Sequence, residues 1–171
     1  HTLALRLPDW CDKPQVTLNG APVTQDVRKG YLHISHLWQE GDTLQLTLPM
    51  PVRRIYGNPL VRHQAGQVAV QRGPLVYCLE QADNGEQLHN LQLPRDARFS
   101  TVEGKGIFAR KILLQAPGYK QTAEDAENQA LWHYDRAPSS RQPQVLTFIP
   151  WFSWANRGEG EMRIWVNETE A

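Results

Sequence analysis

Residues 145–166 read VLTFIPWFSWANRGEGEMRIWV, and the fold class turns on this stretch. Val145, Thr147 and Ile149 alternate with Leu146 and Phe148, and Met162, Ile164 and Val166 alternate with Glu161, Arg163 and Trp165. A period of two is that of a half-buried β-strand. Between the two runs lie Trp151, Phe152 and Trp154, then Asn156-Arg157-Gly158-Glu159-Gly160. The stretch therefore reads as a hairpin: a strand, an aromatic loop and a returning strand. Large rings beside a polar, glycine-bearing turn suit two roles, stacking on sugar faces or packing a β corner or protein interface. Trp151, Trp154, Asn156 and Arg157 are the candidate binding residues on either reading.

The same alternation runs through the rest of the chain. Residues 3–8, Val16–Asn19, Tyr31–Leu37 and Thr43–Leu48 each carry one apolar row and one polar row, as in antiparallel strands wet on one side. Asn19-Gly20 is a strong hairpin signal. Four such strands need a second sheet to cover them. Since the chain opens within a strand at His1, the expectation is a first sandwich that is truncated, in a segment of a longer protein. Pro49-Met50-Pro51 breaks the pattern, giving residues 1–52 as one domain and 53–171 as a second. In the second, Val68–Gln71, Leu75–Glu80, Leu88–Leu93, Ile107–Gln115, Val145–Ile149 and Met162–Val166 read as strands. Leu75–Leu79 is apolar on both faces, so it is expected at the centre of the sheet, and Arg72-Gly73-Pro74 marks a kink or bulge before it. Residues 118–143 are polar and read as a long loop, with a short helix over Thr122–Trp132 as the alternative. The fold class is all-β: antiparallel β-sandwiches, the second one complete.

Composition narrows the function classes. Eighteen basic and eighteen acidic residues balance, so nothing favours nucleic-acid phosphates. No apolar run approaches the roughly 20 residues of a membrane span, and no membrane partner is expected. The start carries no readable address, and the cytoplasm stands as the default expectation. The chain is long enough to bury roughly 70 % of its unfolded surface, so it needs no disulfide framework. Cys11 and Cys78 are the two cysteines, and Cys78 lies in an apolar run where a buried, inert thiol is expected.

Residues able to do chemistry are sparse. Two carboxylates would suit glycoside hydrolysis, and the pairs near each other in sequence are Glu80 with Asp83 and Glu159 with Glu161. Surface and turn roles are the ordinary reading of both. His33 and His36 fall on opposite faces of a strand. His63, His89 and His133 lack ligands at metal spacing, so no metal or cofactor is expected in this chain. There is no nucleophile elbow. Asn167-Glu168-Thr169 fits the glycosylation triplet, a frequent chance match. Trp10 and Trp38, at strand ends, read as core plugs. Arg157 can clamp a carboxylate, and Glu159, Glu161 and Glu80 are the candidates.

LALRLPDWC, VTLNG, GYLHISHLWQEGDTLQLTLPMPVRR, VAVQRGPLVYCLEQADNG and TFIPWFSWANRGEGEMRIWV occur in that order. Together they resemble the C-terminal part of glycoside hydrolase family 127, the β-L-arabinofuranosidase type. QRGPLVYCLE and WANRGEGEM are the specific motifs, and residues 118–143 match least well. The resemblance implies an (α/α)6 barrel followed by two β-sandwich regions. Residues 1 to about 52 would be the later part of the middle sandwich. It further implies a retaining mechanism, with a cysteine nucleophile held in a zinc site and a glutamate general acid, all in the barrel. No catalytic residue carries over to this chain, since neither Cys11 nor Cys78 lies in a matching motif. The implied role is a non-catalytic end that supports its own upstream barrel and a homodimer. The alternative is a carbohydrate-binding module that meets arabinose-containing glycans with Trp151 and Trp154.

Overall fold

The computed structural model describes residues 1–24, 26–122 and 140–170. Two compact units divide at Pro51: His1–Pro51 and Val52–Ala171.

Among the described residues the first unit holds six strands: β1 Thr2–Arg6, β2 Gln15–Leu18, β3 Ala21–Pro22, β4 Val27–Arg28, β5 Tyr31–Ser35 and β6 Leu44–Thr47. They form two three-stranded antiparallel sheets, β1-β5-β4 and β3-β2-β6. Leu32 and Ile34 from the first sheet meet Val16 from the second, and Leu5, Leu44, Leu46 and Trp38 pack around them. The four strands expected to form one uncovered layer thus divide between two sheets that cover each other. Two tight hairpins make this possible. Asn19-Gly20 and Lys29-Gly30 each place two successive residues at positive φ, +52° and +80°, then +52° and +77°. That is the I′ pattern, whose twist matches the strands it joins. The sequence signals the first of these turns; the second hides behind a lysine, an uncommon residue in that conformation.

The second unit contains β7 Val52–Tyr56, β8 Gln67–Arg72, β9 Leu75–Glu80, α1 Gln81–Asn84, β10 Leu91–Pro94, β11 Ser100–Glu103, β12 Ile112–Gln121, β13 Arg141–Pro150, β14 Met162–Arg163 and β15 Val166–Thr169. The pairing order β9-β13-β12-β10-β15-β8 returns to β9 through a further β8–β9 ladder. Six strands therefore close into a barrel, and the two-sheet sandwich expected for this region is corrected to a sheet closed on itself. Closure removes free edges among these strands. All described pairings are antiparallel except β10 with β15, where Gln92 faces Asn167.

The barrel interior follows from the period of two. Val68 and Val70, Tyr77 and Leu79, Leu91 and Leu93, Leu114 and Ala116, Leu146 and Phe148, and Val166 all point inward and are at most 2 % exposed. The central position expected for Leu75–Leu79 holds. β9 lies between β8, β13 and β14, with Tyr77 and Leu79 inside the barrel and Cys78 on its outer face. There Cys78 packs with Phe108 and Ile149 in a second small core.

Three expectations need correction. Residues 145–166 are not a hairpin: β13 and β14 both pair with β9, which inserts between them. Gly73-Pro74 is not a bulge but a two-residue hairpin turn, with Arg72 facing Leu75 and Gly73 at φ +57°. Proline's fixed φ suits the second position of such a II′ turn. The polar segment after residue 117 is not all loop either, since β12 runs to Gln121 and β13 begins at Arg141. The helix considered over Thr122–Trp132 lies outside the described residues apart from Thr122 itself.

Gly118 continues the inward row of β12 after Leu114 and Ala116. A Cβ there would lie 2.6 Å from the Leu146 side chain and 2.8 Å from the Gln92 carbonyl oxygen. Gly118 and Leu146 are buried and the second wall is backbone, so Gly118→Ala is expected to cost about 1–3 kcal/mol by overpacking. A lowered urea midpoint at unchanged slope checks this.

Candidate functional site

Among the described residues, one cluster of ionisable side chains lies on the outer face of β9 and another joins Glu168 to Arg54, Tyr56 and Arg95. Glu80 ends that strand on the Cys78 side and is 3 % exposed. Asp83 follows within α1. Arg157, brought over by the loop after β13, bonds both carboxylates. Its Nε donates to Glu80 Oε2 at 3.0 Å and its Nη1 to Asp83 Oδ1 at 2.8 Å. Its Nη2 donates to both Glu80 Oε2 and Asp83 Oδ2. The guanidinium also lies 4.7 Å from the centroid of the Phe108 ring, within cation–π range. All three guanidinium nitrogens are engaged.

Electrostatics follow from this packing. The Asp83 hydrogen bond, with Glu80 adding to it, holds the Arg157 pKa above the ordinary guanidinium value. Burial pushes the Cys78 thiol up to about 12, with the Glu80 and Asp83 charges adding to the effect. Such a thiol stays protonated at neutral pH and is a poor nucleophile. Glu80 and Asp83 share one cation, so neither stands free beside a reacting bond. This arrangement is an ion cluster, unlike a facing acid and base pair.

Nearby polar side chains fasten the same loop. Asn84 is 3 % exposed. Its Nδ2 donates to the Glu80 and Thr147 carbonyls, and its Oδ1 accepts from Thr147 N–H at 2.9 Å. It thus seals α1 onto β13. Glu161 accepts from Gln87 N–H at 2.9 Å and Leu88 N–H at 2.7 Å. These bonds, Leu88's first, hold its carboxyl below the usual carboxylate range. Gln81 and Glu161 exchange two further bonds, Gln81 N–H to the Glu161 carbonyl and Glu161 N–H to Gln81 Oε1, each 3.0 Å. Asn156 Nδ2 donates to Ser153 O at 2.9 Å.

The four singled-out residues therefore divide. Asn156 and Arg157 turn their donors inward and fix the loop. Trp151, Phe152 and Trp154 point outward from a 3-10 turn at 50 %, 61 % and 40 % exposure. Of the three acids considered for Arg157, the structure selects Glu80 and adds Asp83; Glu161 bonds backbone N–H groups instead. Two participants went unrecognised in sequence, Asn84 and Phe108. Asn84 stands directly before Gly85, a pair with the look of a simple turn, and Phe108 falls in the expected strand Ile107–Gln115, which in fact begins at Ile112.

Other candidates find ordinary roles. His36 bonds Asp42 at 3.1 Å and packs edge-on against Trp38. Asn167 Nδ2 donates to the His89 carbonyl at 2.7 Å from within β15, which opposes its use as a glycosylation acceptor. No group of three or more ligand-type side chains occurs among the described residues. A cavity of about 750 Å³ beside the β12–β13 pair is walled by Pro94, Pro117, Tyr119 and Val145, with Asp96 as the one carboxylate in its described lining.

Arg157→Met leaves Glu80 buried without its cation and is expected to cost about 3 kcal/mol. Adding Glu80→Gln and Asp83→Asn should recover part of that loss, as unfolding free energies of the single and triple variants would show. For Glu161 the folded pKa is depressed, so its contribution is present above the ordinary range near ~4.3 and is lost as pH falls through the folded value. Glu161→Gln should therefore be less stable than the unsubstituted chain at pH 7, with the gap closing in acid. An unchanged gap across pH would contradict this.

Comparison with known proteins agrees with this architecture. The model of the glycoside hydrolase family 127 C-terminal domain matches residues 52–167. That of the β-L-arabinofuranosidase GH127 middle domain matches residues 1–50. A non-reducing end β-L-arabinofuranosidase of Bifidobacterium longum subsp. longum is 35 % identical over 168 residues, 94 % of this chain and 25 % of the relative. A solved GH127 β-L-arabinofuranosidase from Geobacillus stearothermophilus T6 is 43 % identical with a TM-score of 0.90, covering 98 % of this chain and 26 % of that one. A solved GH127 β-arabinofuranosidase is 29 % identical with a TM-score of 0.83, covering 98 % and 28 %. The chain thus spans about a quarter of the length of these relatives. With a family model matched across residues 52–167 and a second across residues 1–50, the chain belongs to glycoside hydrolase family 127.

Proposed function

We propose that this chain is the non-catalytic C-terminal portion of a β-L-arabinofuranosidase, and that it supports a catalytic barrel carried elsewhere in a longer polypeptide. The observation that carries this reading is the Arg157 clamp. It neutralises Glu80 and Asp83 together, the one close carboxylate pair on the outer face of β9 among the described residues. A retaining glycosidase needs two carboxyl-type groups, or an equivalent nucleophile and acid, free on either side of the scissile bond. Here both are bonded to one guanidinium.

The reacting groups of the longer protein are, on this reading, a cysteine nucleophile in a zinc site and a glutamate acid, acting with retention. The described residues of this chain do not fit such a site. Cys78 is buried with its thiol pushed up to about 12. Cys11 belongs to the other unit, and neither joins a group of three ligand-type side chains among the described residues. What this portion supplies is a rigid, closed scaffold. The names of the relatives support the substrate class, since the three described above are arabinofuranosidases.

A chromogenic β-L-arabinofuranoside separates the alternatives. The purified 171-residue chain should release no chromophore, and the longer polypeptide that carries it should turn over. Hydrolysis by the short chain alone would contradict the proposal.

A further inference from the structure

We infer that the Trp151–Trp154 turn is a docking face for the remainder of the same polypeptide. This rests on the reading of the chain as one portion of a longer enzyme, since the chain spans about a quarter of its relatives. The turn is rigidly presented. Trp154 N–H donates to the Trp151 carbonyl at 3.0 Å, Asn156 ties back to Ser153, and the Arg157 clamp anchors the following residues to β9 and α1. Yet its three rings stay largely in water. Ile107, 50 % exposed, extends the apolar surface across a small cavity that it lines with Phe108, Ser153 and Asn156.

Magnitude and polarity choose the occupant. At about 200 Å² per aromatic side chain, the three rings expose roughly 300 Å². That matches the largest patch of a typical monomer, which is often functional. It falls well short of the roughly 800 Å² per partner that a stable association of separate molecules buries. A covalently tethered partner faces the patch at an effective concentration near millimolar, so a small patch suffices. A second copy lacks that advantage. A sugar is disfavoured for a different reason: saccharide sites place polar groups beside the rings. Here the Arg157 nitrogens, the Asn156 amide nitrogen and the Lys111 ammonium that also lines the cavity are already bonded within the chain, which leaves the buried Ser153 Oγ as the one polar atom there without a partner among the described residues. The indole N–H groups of Trp151 and Trp154 have no acceptor among the described residues, so the docked face should present carbonyl or carboxylate oxygens at the rim of an apolar surface.

Hydroxyl-radical footprinting read by mass spectrometry tests this residue by residue. Oxidation of Trp151, Phe152 and Trp154 should be several-fold slower in the longer polypeptide than in the 171-residue chain. Equal rates would overturn the proposal. So would protection of the short chain that grows with its own concentration, which assigns the face to a second copy, or protection by added L-arabinose, which assigns it to a sugar. As a second readout, the triple variant Trp151→Ser, Phe152→Ser, Trp154→Ser should leave the Tm of the short chain unchanged and lower that of the longer polypeptide; no change in either would also overturn it. Activity reports separately on the parent reading. Protected rings in an inactive longer polypeptide would sink the arabinofuranosidase assignment and keep the docking face, whereas an active one with unprotected rings would do the reverse.

Discussion

One cation between two carboxylates sets the outer face of this domain. Glu80 stands at the end of a buried strand, with Asp83 one helical turn away, and both would be costly to leave charged without a partner. Arg157 meets both through bonds from all three of its nitrogens, and the Phe108 ring covers its plane. A buried cluster of this kind adds less to stability than its close contacts suggest, because desolvation offsets the attraction. Removing one member is another matter, since the remaining charge is then stranded. The cluster is therefore best understood as a device that specifies where the loop after β13 must lie.

That loop needs such a device because the barrel alone does not position it. The interior rows of the six closing strands account for the barrel core without any residue between 151 and 161. The loop crosses the outer face of β9, where a small cluster of Cys78, Ile149 and Phe108 gives it something apolar to rest on. Polar bonds then fix its direction: Glu161 to Gln87 and Leu88, Gln81 to Glu161, and Asn84 to Thr147. Held at both ends, the aromatic turn cannot fold its rings into the core. Their exposure is imposed by the architecture, and it makes the turn available to a partner.

Much of the strand content was legible because each inward row of the barrel is an unbroken alternation, as with Tyr77 and Leu79 or Leu146 and Phe148. The doubly apolar run at Leu75–Leu79 marked the central strand for the same reason. Sheet order was not legible. Nothing local tells that β9 comes between β13 and β14, since their partners lie some 70 to 80 residues away in sequence. The choice of Glu80 for Arg157 was hidden likewise: Glu159 and Glu161 are closer in sequence and equally charged. Barrel closure depends on a single β8–β9 ladder around Gly73-Pro74, where the same dipeptide could signal a bulge. Lys29-Gly30 escaped because its first residue carries no turn signature, although the backbone there matches that of Asn19-Gly20.

The Arg157 cluster, and not the barrel, holds the aromatic turn in place. Native-state amide hydrogen exchange measures it directly by comparing the N–H groups of Gln81, Gln87 and Leu88, which bond Glu161, with those of the interior strands. In Arg157→Met the first set should exchange on the order of 100-fold faster, the equivalent of about 3 kcal/mol of lost protection, through a local opening that leaves β8 and β13 closed. Exchange of Gln81, Gln87 and Leu88 only together with β8 and β13, or unchanged protection at these three, is the contrary result.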